Sequence, residues 1–135
     1  MPRIFGHNLL FVLAAFIVMY LIGFAWYGMI FQEPYQAMSG MDMETPTAPW
    51  RMYGVGLGIP LLAVLGLAWV FDKFGHVGLM ACVKTALGVA VFFALTTNLY
   101  ALAYDVRYPP GLLWIDGGHL LVGYGVAGAI LSFGK

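Results

Sequence analysis

The chain has 135 residues, of which 62% are hydrophobic and 9% charged. Soluble domains carry about 25% charged residues, so this composition cannot cover a globule in water and reads as a membrane protein. Six basic and six acidic residues cancel, which leaves no electrostatic reason to expect nucleic acid or an acidic substrate as a partner.

In chain order, the first predicted span runs from Asn8 to Phe31. Its apolar run is longer than the roughly 7–15 residues of a signal peptide and ends in Trp26-Tyr27, not at a small-residue cleavage site. A retained transmembrane helix is expected. Residues 32–51 form the one long polar stretch, with Glu33, Asp42 and Glu44 among Pro34, Pro46 and Pro49. The prolines forbid a continuous helix, so an acidic extracytoplasmic loop with a short interfacial turn around Tyr35 to Met38 is expected. Trp50 and Tyr53 mark a membrane interface.

The second span is Met52 to Phe71, interrupted by Pro60. Gly54 and Gly58 have the small-xxx-small spacing that lets another helix approach closely. Asp72-Lys73 and a tight turn through Gly75 lead to the third span, Gly78 to Tyr104. Cys82 within it reads as a small hydrophobe, and the Lys84 stem extends to the nearer interface. Arg107 and Pro109-Pro110 form a turn, and the fourth span is Leu112 to Phe133. These segments predict an all-α, single-domain bundle of four membrane helices over residues 1–135, with consecutive helices as antiparallel neighbours and both termini on one side. Arg3, Lys73 and Lys135, with Lys84 close by, lie on that side against Arg51 and Arg107 on the other, so the termini are predicted to be cytoplasmic.

The fourth span holds an ionisable pair, Asp116 and His119, three residues apart. A charge at the bilayer centre costs roughly 2.5 kcal/mol or more, so such a group asks for a reason. Lys84 lies about 9 Å inside the cytoplasmic end, while Asp116 lies about as deep from the opposite face, so the two are too far apart to pair. At the level of Asp116 stand Tyr27, Thr97 and Asn98. Tyr27, Thr97, Asn98, Asp116 and His119 are therefore expected to form one polar cluster facing the bundle interior, because lipid offers no partners. That cluster is read first as a structural pin and second as a small-ligand or proton site. His7 and His76 are read as exposed residues at the opposite interface. No catalytic residues, metal ligands or cofactor are predicted: there is no H-E-x-x-H, no G-x-S-x-G, no phosphate loop and no paired cysteine. Gly123, Gly125 and Gly128, with Ala127 and Ala129, give the fourth span two small-residue faces. One suits an internal neighbour, the other a further internal neighbour, a second copy of the chain or another membrane protein.

Two stretches resemble a known family. Gly23-Phe24-Ala25-Trp26-Tyr27-Gly28-Met29-Ile30-Phe31 is similar to the G-x-x-W-Y-x-x-x-F signature at the end of the first helix in domain-of-unknown-function family 1761. Arg107-Tyr108-Pro109 and Ile115-Asp116-Gly117-Gly118-His119 resemble its later pattern, with His119 at a position that is usually aromatic. The resemblance implies a four-helix protein of the bacterial inner membrane with no established activity. Taken together, the residues favour a small integral membrane protein acting by association, as a homo-oligomer or as an accessory or scaffold subunit of a membrane complex. The alternative is a small transporter, channel or ligand carrier that uses the polar cluster around Asp116. An enzyme is the weakest class.

Overall fold

The computed structural model describes residues 2–40 and 46–135; Asp42 and Glu44 of the expected acidic loop lie outside the described residues. The chain opens with a hairpin of two short antiparallel strands, β1 (Arg3–Ile4) and β2 (His7–Asn8), that the sequence reading did not anticipate. Its turn, Phe5-Gly6, has positive φ at both residues, 48° and 74°, the backbone twist that two-residue hairpins favour. Four helices follow that are long and apolar enough to cross a membrane: α1 (Leu9–Ile30), then, after a short helix α2 (Gln32–Ser39), α3 (Trp50–Lys73), α4 (Leu79–Tyr104) and α5 (Pro110–Ser132). All four lie within two residues of the predicted limits. Where an interfacial turn was expected, α2 makes a full helix closed by Gly40 in the left-handed conformation at φ 65°, a common helix stop. Asn8 caps α1 by accepting the Leu10 N–H at 2.9 Å, and Pro110 opens α5 at a position where its missing N–H costs nothing.

The outer surface is apolar. Leu62, Phe92, Phe93 and Trp114 are each more than 70% exposed, which suits contact with lipid and not with water. The interior is built around α5. It packs along α1 on one side and α4 on the other, while α3 lies against α1 and reaches α5. Consecutive helices are thus not always neighbours: α3 and α4, joined by a short turn, pack mainly on α1 and α5. The reason is the small-residue surface of α5. A Cβ on Gly123 would sit 3.5 Å from Met19 of α1, while one on Gly128 would sit 2.7 Å from the Ala86 Cβ and 3.1 Å from the Cys82 carbonyl oxygen of α4. Gly125 likewise faces Leu87. Both small-residue faces of α5 are therefore met by residues of the same chain. Gly54 and Gly58, by contrast, have nothing within 4 Å of where a Cβ would be.

The apolar core gathers at the end that bears the termini. Val12 and Ala15 of α1 meet Val64, Leu67 and Phe71 of α3 there. Cys82 and Ala86 of α4, with Ala127 and Leu131 of α5, complete it. The two chain ends are tied together across this base. The Asn8 N–H donates to the Gly134 carbonyl at 2.8 Å, and Lys135 Nζ lies 3.5 Å from Asp72 Oδ1. The hairpin folds over the same base and carries His7 with it. The expectation of an exposed His7 is corrected: it is fully buried, its ring 6.2 Å from that of Phe71. Its Nδ1 bonds to the Phe5 carbonyl oxygen at 2.7 Å, and Nε2 has no hydrogen-bond partner among the described residues. Outside a helix, hydropathy counting had no means of showing that the hairpin would tuck this ring under Phe71. His76 is half-buried beside Phe71 and Phe74.

Gly128→Ala is expected to lower stability by about 1–3 kcal/mol through overpacking against Ala86. Gly58→Ala should leave it unchanged within about 0.5 kcal/mol, or raise it slightly through helix propensity. Thermal unfolding of both variants in one detergent checks this; equal effects would refute the packing described. A second expectation concerns pH. Burial lowers the pKa of His7, opposed by its bond to the Phe5 carbonyl, with Lys135 and Arg3 lowering it and Asp72 raising it. The unfolded chain then binds the proton more readily than the folded one. The contribution of His7 is fully present above the ordinary imidazole value of about 6.5 and is lost as pH falls below it, until the folded value is passed. One such group gives a slope no steeper than about 1.4 kcal/mol per pH unit. Unfolding of wild type and His7→Gln from pH 7.5 to 5.5 should show a steeper loss in the wild type.

Candidate functional site

At the end of the molecule opposite the termini, an apolar helix has to accommodate a carboxylate. Asp116 lies in the second turn of α5, and three side chains from three places in the chain converge on it. The Tyr27 hydroxyl donates to Oδ1 at 2.6 Å; the Asn98 amide and the Tyr108 hydroxyl donate to Oδ2 at 3.0 and 2.7 Å. The Asn98 amide also lies 3.3 Å from the Tyr108 oxygen. Both carboxylate oxygens are therefore served by donors, as an acceptor-only group buried in a helix bundle requires.

Local sequence makes this convergence possible. Gly117 and Gly118 follow Asp116 directly. A Cβ on Gly117 would lie 3.3 Å from Leu95 of α4, and one on Gly118 would lie 2.8 Å from the Trp26 ring of α1. The two glycines let both neighbours close in beside Asp116, so that Asn98 and Tyr27 reach it. At the same level, α1 changes its winding. Trp26–Ile30 form a π-helical turn, with the Phe31 N–H bonded to the Trp26 carbonyl at 2.9 Å. The wider turn narrows the angle between consecutive side chains, and Trp26 and Tyr27 address consecutive residues of α5. The Trp26 indole N–H donates to the Ile115 carbonyl at 2.9 Å while Tyr27 takes Asp116.

The short helix α2 covers the cluster. Tyr35 meets Tyr27 edge-on with ring centroids 4.8 Å apart. Met38 fills the space left by Gly111, where a Cβ would come within 2.6 Å of its sulfur. Burial, and then the charge of Asp116, push the Tyr35 phenol above its ordinary pKa. Tyr108 is also raised, by burial first and by its bond to Asp116, with Asn98 acting in the lowering direction. Both stay neutral phenols across physiological pH, which keeps Tyr108 a donor.

Of the five residues expected to cluster, Tyr27, Asn98 and Asp116 are joined by hydrogen bonds. His119 lies beside them through ring contacts, 5.0 Å from Tyr27 and 6.4 Å from Trp26. Thr97 does not join; it is exposed, because the next residue along an α-helix is turned by about 100° and Asn98 already takes the inward direction. Tyr108 and Trp26 were missed as members. Tyr108 sits in the turn just before α5, and Pro109 in an extended conformation sends the chain back over Asp116. The available signal was a hydroxyl-bearing ring within reach of Asp116 from above.

His119 faces a different space. Its Nε2 lies 3.2 Å from where a Cβ on Gly23 would be, so the imidazole rests on the bare backbone of α1. There it borders a crevice of about 280 Å³ between α1 and α3. Met19, Tyr20, Gly23 and Phe24 line one wall and Gly56, Ile59 and Pro60 the other, with Tyr20, Tyr27 and His119 as the polar members. Phe24 and Ile59 are 60% and 64% exposed, so the crevice opens sideways on the apolar belt. Among the described residues no three His, Cys, Asp or Glu side chains converge as metal ligands would.

Four apolar helices closed over a hydrogen-bonded carboxylate define a small helical membrane protein with a polar cluster inside its span. The chain belongs to the family described as a protein of unknown function, DUF1761, which matches residues 10–132. No curated protein and no solved structure gives a significant match.

Asp116→Asn should destabilise the fold, since one carboxylate oxygen becomes an amide that turns its own N–H groups on the existing donors. A double-mutant cycle of Asp116→Asn with Tyr27→Phe, read by thermal unfolding, is expected to give a coupling of about 1–2 kcal/mol. Additive effects would mean that the two groups are not bonded.

Proposed function

We propose that this protein is a binder or carrier of a small amphipathic molecule, taken from the bilayer into the crevice between α1 and α3. The observation that carries this reading is the division of labour between Asp116 and His119. Asp116 has both oxygens occupied by donors from its own chain and acts as the pin that fixes Tyr27 and α1. His119, one turn further along α5, is left facing the crevice. An apolar cleft with a few convergent polar groups is the usual form of a small-molecule site. The lateral opening suits a ligand that arrives through lipid.

The excess of Arg3, Lys73, Lys84 and Lys135 at the end bearing the termini supports a cytoplasmic location for that end. The crevice then lies in the outer half of the bacterial inner membrane. Association with a second copy or a partner subunit is the second reading. It is favoured by the half of α3 from Trp50 to Gly58, where Gly54 and Gly58 present bare backbone outward. A mass measurement in mild detergent, supported by cross-linking, separates these readings, since the carrier works as a monomer.

Gly56→Leu tests the crevice. A Cβ there meets only the Arg51 carbonyl oxygen, at 3.9 Å, so the larger side chain fills the crevice without disturbing the helix. A long-chain alcohol bearing a diazirine in its alkyl chain should label the Phe24 and Ile59 region of the wild type saturably. The variant should lose at least about 80% of that labelling at unchanged thermal stability; full labelling in Gly56→Leu would overturn the reading.

A further inference from the structure

We infer that the crevice selects an uncharged, hydroxyl-bearing amphiphile, whose head bonds to His119 while its chain leaves between Phe24 and Ile59 into the lipid. This rests on the crevice being a binding site at all.

The polar inventory of the crevice decides the class of head group. The Tyr27 hydroxyl has given its hydrogen to Asp116, so its oxygen can only accept. Tyr20, on the wall formed by α1, adds a hydroxyl that both donates and accepts. His119 in its neutral form supplies one donor and one acceptor. The site therefore offers one acceptor and two groups that do both. A hydroxyl, which donates and accepts, satisfies this set.

Charged heads do not fit it. A carboxylate or phosphate would bring a charge to a lining that holds no Lys or Arg, and would face the Tyr27 oxygen with the charge of Asp116 behind it. A quaternary ammonium has no hydrogen to give. It would place a cation where none of the lining residues is charged, and both Asp116 oxygens already hold donors. An unpaired charge in an apolar site is strongly disfavoured. Size agrees as well: about 280 Å³ lies just below the range of about 300–1,000 Å³ for sites that enclose a drug-sized ligand. The crevice holds a head and the start of a chain, and the open side leaves the rest in lipid.

The test uses the full chain in nanodiscs and three diazirine probes of equal chain length, ending in a hydroxyl, a carboxylate or a trimethylammonium. The alcohol should label the Phe24 and Ile59 region saturably, at a concentration at least tenfold below either charged probe. His119→Phe, which keeps an aromatic ring over Gly23, should weaken the alcohol roughly 3- to 10-fold without changing the thermal unfolding temperature. Charged probes that label as well as the alcohol would overturn the head-group assignment while leaving the crevice as a site. No saturable labelling by any of the three would overturn the crevice reading itself. An unaltered alcohol concentration dependence in His119→Phe would remove His119 as the recognising group.

Discussion

The far end of the bundle depends on one requirement: Asp116 has to be hydrogen-bonded from within the protein. An unpartnered carboxylate among apolar helices is unfavourable by several kcal/mol, and lipid supplies no donors. The partners come from α1, from α4 and from the turn before α5. Meeting the requirement therefore fixes three separate segments relative to one residue. The features around it follow. Gly117 and Gly118 remove side chains that would hold α4 and α1 away, and the π-helical turn at Trp26 lets two consecutive residues of α1 both bond to α5. Tyr35 and Met38 bring α2 down as a cover. Each feature brings a segment of the chain up to the same carboxylate.

The two ends of the molecule are held by different physics. At the termini, close-packed apolar side chains and the bond from Asn8 to Gly134 hold the helices together, with glycine positions on α5 setting how near α1 and α4 approach. At the far end, directional hydrogen bonds replace apolar packing. Neither device acts between the first half of α3 and the outer half of α1. No residue from Trp50 to Val55 is buried, whereas Val64, Leu67, Ala68 and Phe71 pack in the core. The crevice lies where these two systems leave α1 and α3 apart, and its polar members Tyr27 and His119 are borrowed from the carboxylate cluster.

The spans were legible because composition and run length decide them, and α1, α3, α4 and α5 lie close to their expected limits. Depth counting also found Tyr27 and Asn98 as partners of Asp116 and excluded Lys84, because helix rise alone sets those levels. It erred where direction mattered. Thr97 stands at the right depth but on the wrong side of α4. Tyr108 belongs to a turn, where no periodicity assigns a direction, yet its ring reaches back to Asp116. His7 precedes the first helix, and only the β1–β2 hairpin, invisible to hydropathy, explains its burial. The glycines of α5 carried a real packing signal, but spacing alone does not say which helix answers it; the structure places α1 and α4 there.

The pair that first draws attention in α5, Asp116 and His119, meets at a third residue. Tyr27 gives its hydroxyl hydrogen to Asp116 and lays its ring 5.0 Å from that of His119. The cluster and the crevice thus share one side chain, whose hydroxyl orientation is set by the carboxylate. If Asp116 lost its acceptor oxygen, Tyr27 would be free to turn its O–H toward the crevice, and an acceptor there would become a donor. The residue that costs the fold most to bury therefore also determines the polarity of the crevice.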